Sequence, residues 1–256
     1  MDDYPDTLIP IELHVGDDYH TNWALSRYSF YSGSGTPTAW FDGVRSCVGA
    51  NTNVTAMYNW YKDQYDARRA IPTDVTIQLD AFFIAAWDCR VQVEVAIEPT
   101  GQAKTMRVHL VQLIDNWPGD PWYSRNTFRQ AATTETVTLY PGESAFFERT
   151  FTFDTQSWFN YSQIRLVAWA QATNSSAPAE VYNAAILSAP FEYLTGDLDC
   201  DGDVDFDDIN PFVLALGGQA GYEAIYPDCQ WLNADCDDDG DVDFDDINPF
   251  VALLGG

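Results

Sequence analysis

Twelve residues recur almost unchanged within this chain. Residues 197–208 read Asp-Leu-Asp-Cys-Asp-Gly-Asp-Val-Asp-Phe-Asp-Asp, and residues 235–246, 38 positions later, read Asp-Cys-Asp-Asp-Asp-Gly-Asp-Val-Asp-Phe-Asp-Asp. Each copy continues Ile-Asn-Pro-Phe-Val, at Ile209–Val213 and Ile247–Val251. Carboxylates this dense repel one another, so the segment orders only if something gathers its charge. The spacing indicates what does so. A hard cation takes several oxygen ligands, and the D-x-D-x-D-G pattern supplies acids at positions 1, 3 and 5. These are Asp197, Asp199 and Asp201 in the first copy and Asp235, Asp237 and Asp239 in the second. Position 6 must turn sharply, hence Gly202 and Gly240. Position 7 ligates through its backbone carbonyl (Asp203, Asp241), position 9 acts through water (Asp205, Asp243), and position 12 closes the shell (Asp208, Asp246). The ligand sets are therefore Asp197, Asp199, Asp201, Asp203 and Asp208, and Asp235, Asp237, Asp239, Asp241 and Asp246. Two Ca²⁺ ions are the expected occupants.

The repeat also explains the charge of the whole chain. There are 39 acids against 12 bases in 256 residues, a formal charge of −27. Residues 195–256 hold 17 of the acids and no base, so residues 1–194 carry 22 acids, 12 bases and a net −10. Such a field excludes binding of nucleic acid, which needs clustered Lys and Arg. Apolar residues make up 46% and aromatics 15%, enough for a packed core rather than a disordered acidic tail. No apolar run approaches the roughly 20 residues of a membrane span.

Each loop is followed by a short apolar stretch, Ile209–Leu216 or Ile247–Leu254, and then by Gly-Gly. Glycine just past the last apolar residue stops a helix, and Pro211 and Pro249 lie near a helix start, where a missing N–H costs little. The predicted unit is loop–helix, linker, loop–helix. Asp rather than Glu at position 12 suits a single-helix loop better than a full helix–loop–helix. In its Asp-rich loops, its duplication and its "DVDFDDINPFV" segment, the stretch Gly196–Gly256 resembles a dockerin module. That resemblance implies docking onto a cohesin, a β-sandwich domain. In the family, loop positions 10 and 11 help to recognise the partner; here they are Phe206, Asp207, Phe244 and Asp245 in place of the common Ser/Thr. The Phe pair either anchors a partner or fills the small core between the repeats.

Residues 73–190 alternate with period two and are rich in β-branched and aromatic residues. Predicted strands begin at Val75 and cover Val91–Ile97, Met106–Leu113, Glu135–Tyr140, Ala145–Phe153, Ile164–Gln171 and Ala179–Leu187. Pro- and Gly-rich turns separate them. About seven short strands at this spacing argue for an Ig-like antiparallel β-sandwich.

Before it, Leu8–Val15 reads as a buried strand, and Asn22–Tyr31 and Ala56–Ala70 read as helices. This order, with Thr36-Pro37 ahead of a strand, resembles the second half of a thioredoxin-like fold, whose Thr-Pro pair carries a cis proline. Together with the sandwich it is similar to Omp28-like outer-membrane or secreted proteins. The redox motif C-x-x-C is missing, so the segment is expected to be a truncated half-fold that completes its sheet on the sandwich or on a neighbouring molecule. The chain opens Met-Asp-Asp-Tyr-Pro-Asp without a secretory leader, and is expected to be a mature or incomplete product.

The fold class expected is mainly β: a small α/β thioredoxin-like segment over residues 1–71, an Ig-like sandwich over 72–194, and a small α dockerin-like calcium module over 195–256. Weak calcium loops need an extracellular supply, roughly 10⁻⁴–10⁻³ M, which points to a secreted or cell-surface protein of bacterial type. Five cysteines fit an oxidising compartment. A bridge within Cys200, Cys229 and Cys236 would staple the module, and Cys47–Cys89 is the natural pair elsewhere. Sequons stand at Asn53, Asn160 and Asn174. No catalytic motif is present: there is no G-x-S-x-G, H-E-x-x-H or P-loop among the residues. His109 reads as a surface or core residue, and His14 and His20 bracket Asp17-Asp18 only as a weak metal pattern. Trp117, Trp122 and Tyr123 either stack on a sugar or cap the sandwich. The expectation is a non-enzymatic assembly protein. Its module docks onto a β-sandwich, either that of a neighbouring copy, which gives a homo-oligomer or filament, or that of a separate cohesin scaffold. The competing expectation is a redox or carbohydrate-active protein lacking its catalytic part.

Overall fold

The computed structural model of the protein describes residue 4 and residues 7–85, 87–117, 125–227 and 229–254. The chain is mainly β. Its elements run α1 (Asn22–Phe30), β1 (Thr38–Phe41), β2 (Arg45–Val48), α2 (Val54–Arg69), β3 (Val75–Ala85), β4 (Asp88–Ile97), β5 (Lys104–Ile114), β6 (Thr127–Ala131), β7 (Glu135–Leu139), β8 (Ser144–Thr152), α3 (Thr155–Phe159), β9 (Ile164–Ala172), β10 (Val181–Ser188), β11 (Glu192–Tyr193), α4 (Ile209–Leu216), α5 (Gln219–Glu223) and α6 (Ile247–Leu253). A four-stranded sheet has the order β11-β3-β4-β8, with β11 parallel to β3. The chain forms two compact units. One comprises Met1–Leu79, Gln92–Phe147 and Asn160–Ala189; the other comprises Asp80–Val91, Glu148–Phe159 and Pro190–Gly256.

The first unit is built on a five-stranded antiparallel sheet in the order β10-β9-β5-β6, with β7 also paired to β5. Every residue from Val108 to Ile114 of β5 is buried, so the strand carries apolar side chains on both faces, with His109 and Gln112 the polar members. On one face Val111, Leu113, Phe128, Val167 and Trp169 form a core covered by Trp23 of α1 and by Ile9, Ile11 and Leu13. Those last three belong to the predicted strand Leu8–Val15. The structure corrects that expectation: the segment makes one isolated parallel bridge, Glu12 to Thr127, and lies on the sheet by its side chains. Pro10, within the segment, has no N–H to give to a ladder.

Several buried polar groups in this unit are held by specific partners. Arg27 donates to Gln171 at 2.7 Å and to Tyr31 at 2.8 Å while lying over the Phe30 ring at 4.4 Å. Asp115 accepts from Arg125 at 2.6 Å and from Arg165 at 2.7 Å. His109 stacks on Trp169 at 4.8 Å and hydrogen-bonds Thr134 at 3.0 Å. Burial holds its imidazole down to about 3, so it is a neutral core residue.

The α/β part is a two-stranded antiparallel hairpin, β1–β2, followed by α2. The Thr36–Pro37 bond ahead of β1 is cis. Asn53 caps α2 by accepting from the Ala56 N–H at 3.0 Å. The hairpin stays a separate two-stranded sheet, and its turn is tied to residues 179–181 by backbone bonds, Ala179 N–H to Gly43 O at 2.9 Å and Val181 N–H to Asp42 O at 2.8 Å. Gly43 has φ +70, and a side chain there would strike Ala179 and Gln171. Cys47 and Cys89 are both free thiols and fully buried, so the expected pair is not formed. Burial pushes the Cys89 thiol up to about 12, which makes it an inert apolar filler.

The second unit joins an aromatic nest to the repeats. Phe83 meets Phe153 edge-on at 5.9 Å and Tyr193 at 5.1 Å, and Trp87 meets Trp158 at 4.9 Å. The repeat helices α4 and α6 fall where the apolar stretches predicted them, and α4 ends at Gly217–Gly218, Gly218 having φ +115. Each is preceded by a single 3₁₀ turn, Phe206–Asp208 or Phe244–Asp246. The core holds Leu198, Phe212, Ala215, Tyr222, Ala234 and Phe250. Phe212 and Phe250, 38 positions apart, stack face to face at 4.1 Å and 5°. The duplication thus buries the same residue of each copy against its counterpart. Cys200–Cys229 is the disulfide, and Cys236 stays free.

Candidate metal centre

Both Asp-rich loops fold the way their spacing requires. In the first, Asp208 at position 12 accepts at Oδ1 from the N–H groups of Leu198 (2.6 Å) and Asp199 (3.1 Å), and at Oδ2 from that of Asp205 (2.8 Å). In the second, Asp246 accepts in the same way from Cys236 (2.6 Å), Asp237 (3.2 Å) and Asp243 (2.8 Å). One carboxylate therefore pins both ends of its loop, and with Asp205 or Asp243 it forms the capping box of the 3₁₀ turn that precedes the helix. Position 5 steadies position 7: Asp201 accepts from the Asp203 N–H at 3.2 Å, and Asp239 from the Asp241 N–H at 3.1 Å. Gly202 and Gly240 take φ +96 and +94, the left-handed turn that position 6 demands.

Carboxylate oxygens of Asp197, Asp199 and Asp208 lie within 4.8 Å of one another, and so do those of Asp235, Asp237 and Asp239. Among the described residues, Asp201 and Asp203 stand outside the first trio, and Asp241 and Asp246 outside the second. In loops of this pattern position 7 needs no carboxylate in the cluster, since it ligates through its carbonyl.

Electrostatics show strain that a cation would relieve. Asp197 is 0% exposed, and burial, then the charge of Asp208, pushes its carboxyl up to about 7. Asp199 is raised by burial and then by Asp201, and Asp203 by Asp201 first. In the second loop Asp237 is raised by desolvation and then Asp239, and Asp241 by Asp239 first. Asp197 Oδ2 accepts from the Gly202 N–H at 3.0 Å, but Asp197 Oδ1 is buried with no hydrogen-bond partner. A buried carboxylate oxygen left bare is costly, and a cation would satisfy it.

The donor set decides which cation fits. It is all oxygen, which suits a hard ion such as Ca²⁺. Sulfur is withheld: Cys200 is in the disulfide, and Cys236 donates toward Asn233 O at 3.8 Å with its thiol pushed up to about 12 by burial. That argues against a thiolate metal such as Zn²⁺.

Several contributors lie outside the motif. Asn233 donates Nδ2 to Asp197 O at 2.8 Å, Tyr222 donates its hydroxyl to Leu198 O at 2.6 Å, and Arg90 of β4 donates to Gly202 O and, at 3.3 Å, to Asp201 O. No sequence signal marks Arg90, which is more than a hundred residues away along the chain. Phe206 and Phe244, left open between anchor and core, are 73% and 77% exposed; Phe212 and Phe250 fill the core instead. Ile209 and Val213, and Ile247 and Val251, continue that exposed apolar surface on each helix.

The other candidates do not assemble into a site. His14 pairs with Asp17 at 2.6 Å, and His20 with the Asp17 carbonyl at 2.5 Å. Trp117 packs against Tyr19 at 5.1 Å and under Arg129 at 4.2 Å, while Trp122 and Tyr123 lie outside the described residues. Asn53 is occupied as a helix cap, and Asn174 Nδ2 donates to Pro178 O at 2.6 Å.

No family model matches the chain, and no curated protein matches it. Solved structures do match in part. A domain of the outer membrane lipoprotein Omp28 from Porphyromonas gingivalis is 16% identical, covers 48% of this chain and 93% of its own, and has a TM-score of 0.37. The CARDB domain of a Pyrococcus furiosus protein, in complex with di-metal ions, is 14% identical, covers 46% and 88%, and has a TM-score of 0.30. A beta-glucosidase from Kluyveromyces marxianus in complex with glucose is 15% identical, covers 52% of this chain and 17% of its own, and has a TM-score of 0.27.

Proposed function

We propose that the chain is a secreted, non-catalytic calcium-binding assembly protein. Two Ca²⁺ ions order residues 195–256, and the ordered module presents Phe206 and Phe244 to a β-sandwich partner. The observation that carries the calcium reading is the bare, buried Oδ1 of Asp197 within a duplicated cage of oxygen donors. The dockerin-like sequence of the module supports the docking step, and so does the exposure of one Phe per repeat at loop position 10. Extracellular calcium matches the affinity range of such modules, about 10⁻⁴–10⁻³ M.

The partner is either a neighbouring copy of this chain, giving a filament, or a separate cohesin-type scaffold. Charge favours the second. Residues 1–194 carry a net −10 and residues 195–256 a net −17, so docking one copy on another brings like charges together. Sedimentation velocity with calcium and with excess EGTA separates the two. A calcium-dependent rise in mass supports self-assembly. A monomer in both, combined with calcium-dependent capture of a larger protein from the native secretome, supports the scaffold. A monomer with no such capture sinks the docking role.

A further inference from the structure

The repeat makes the two loops nearly identical, yet one group outside it breaks their equivalence. Arg90 projects from β4 onto the turn of the first loop, where its guanidinium donates to the carbonyls of Gly202 and Asp201. No counterpart reaches the second loop among the described residues. The glycines record the difference. A Cβ at Gly202 would strike the Arg90 guanidinium, whereas a Cβ at Gly240 would meet nothing within 4 Å. Gly202 is accordingly buried and Gly240 exposed.

We infer that Arg90 is a positioning residue that presets the first calcium loop and makes it the tighter of the two sites. This rests on the calcium reading above. The carbonyls that Arg90 binds belong to positions 5 and 6, which are not ligands in such a loop, whereas the carbonyl of position 7 is. Arg90 therefore fixes the turn without taking an oxygen from the ion. Fixing it matters because an unbound loop of repelling carboxylates must otherwise be ordered at the expense of binding free energy. The guanidinium also repels a bound cation, but it stands among five acids, Asp197 to Asp205, whose field has the opposite sign. The rest of the first loop points the same way. Asp197 keeps one oxygen bare for the ion. Asp235 in the second loop already spends both of its oxygens on backbone N–H groups, those of Asp239 (3.1 Å) and Gly240 (2.9 Å). Coupling is reciprocal, so calcium in the first loop strengthens the seat of Arg90 by the factor that Arg90 gives to calcium.

The test is a calcium titration of the chelator-treated full chain by calorimetry. In a background of D235N/D237N, which silences the second loop, R90A raises the dissociation constant about tenfold, the lower end of what outer-shell partners contribute. R90K, which keeps the charge but loses the two-pronged geometry, recovers part of that loss. With the first loop silenced by D199N/D201N, R90A leaves the second loop within about twofold. If R90A does not fold, as judged by circular dichroism, R90K carries the test with a loss of about threefold. Equal or tighter binding by the folded Arg90 variant overturns the inference while leaving the calcium reading intact. Absence of calcium binding by the parent chain overturns that reading itself.

Discussion

Two loops with ten of twelve residues in common sit in different physical settings. Position 12 is buried in both, but in the first loop Asp197 is buried too, Cys200 at position 4 is bonded to Cys229, and Asn233 and Arg90 hold the backbone from outside. In the second, Asp237 and Asp239 are exposed, and position 4 is the unbridged Asp238, although it takes nearly the same left-handed φ, +62 against +57 for Cys200. The lesson is that the motif sets the local path of the chain, while packing sets how much of the charge strain is built in before any ion arrives. The first loop stores that strain on a buried carboxylate; the second leaves it in water, where it is screened.

The comparison can be broken first at the point the loops share. Phe212→Ala and Phe250→Ala remove halves of one stacked pair, so each should destabilise the module by about 3–5 kcal/mol in urea melts of the calcium-loaded protein. A large loss from only one of them would mean that the repeats do not share a core. Next comes the bridge that only the first loop has. Cys200→Ser with Cys229→Ser should cost roughly 2–4 kcal/mol, and should weaken calcium binding at the first loop more than at the second. Equal weakening at both loops would remove the bridge from the account of their difference.

A smaller effect is expected from pH, and its sign differs between regions. The Asp197 carboxyl is raised to about 7, so between pH 4 and 7 the folded, metal-free module holds a proton that the unfolded chain has lost. Its stability therefore falls as pH rises through that window. His109 in the five-stranded sheet behaves oppositely. Its folded value is about 3, so between pH 6.5 and 3 the unfolded chain takes a proton that the fold excludes, and stability falls as pH drops. Asp115, held low against burial by Arg125 and Arg165, adds to that loss at still lower pH. Hydrogen exchange in EGTA should show the five-stranded sheet losing protection at pH 4.5 relative to 7.5, and any protection that protonation gives the calcium-free module at pH 4.5 should be gone at 7.5. Asp197→Asn should flatten the module's response. The smallest stability effect belongs to Phe206→Ser with Phe244→Ser. These exposed side chains should cost no more than about 0.5 kcal/mol each, yet their loss should abolish partner capture.

Much of this was legible in the sequence because the signals are local. Period-two alternation located β3, β4, β5, β7, β8, β9 and β10, and the Gly217–Gly218 stop bounded the first repeat helix, while Gly255–Gly256 lie outside the described residues. The clustering of three carboxylates in each loop was legible because the motif is set within twelve residues. What could not be read depends on partners distant in the chain. β6 is a five-residue strand that exists because β5 pairs with it, and Leu8–Val15 is held by side-chain packing rather than by a ladder. A buried free thiol such as Cys47 or Cys89 has the same sequence signature as a bridged one. Arg90 carries no motif at all; only the fold brings it to Gly202.

The central claim is that residues 195–256 are two calcium sites. The most direct measurement is limited proteolysis of the full chain, read by mass spectrometry, in about 1 mM calcium and in excess EGTA. The account predicts that chelation opens cleavage sites throughout residues 195–256 and none in the five-stranded sheet, and that adding calcium back closes them. Identical cleavage with and without calcium would contradict it.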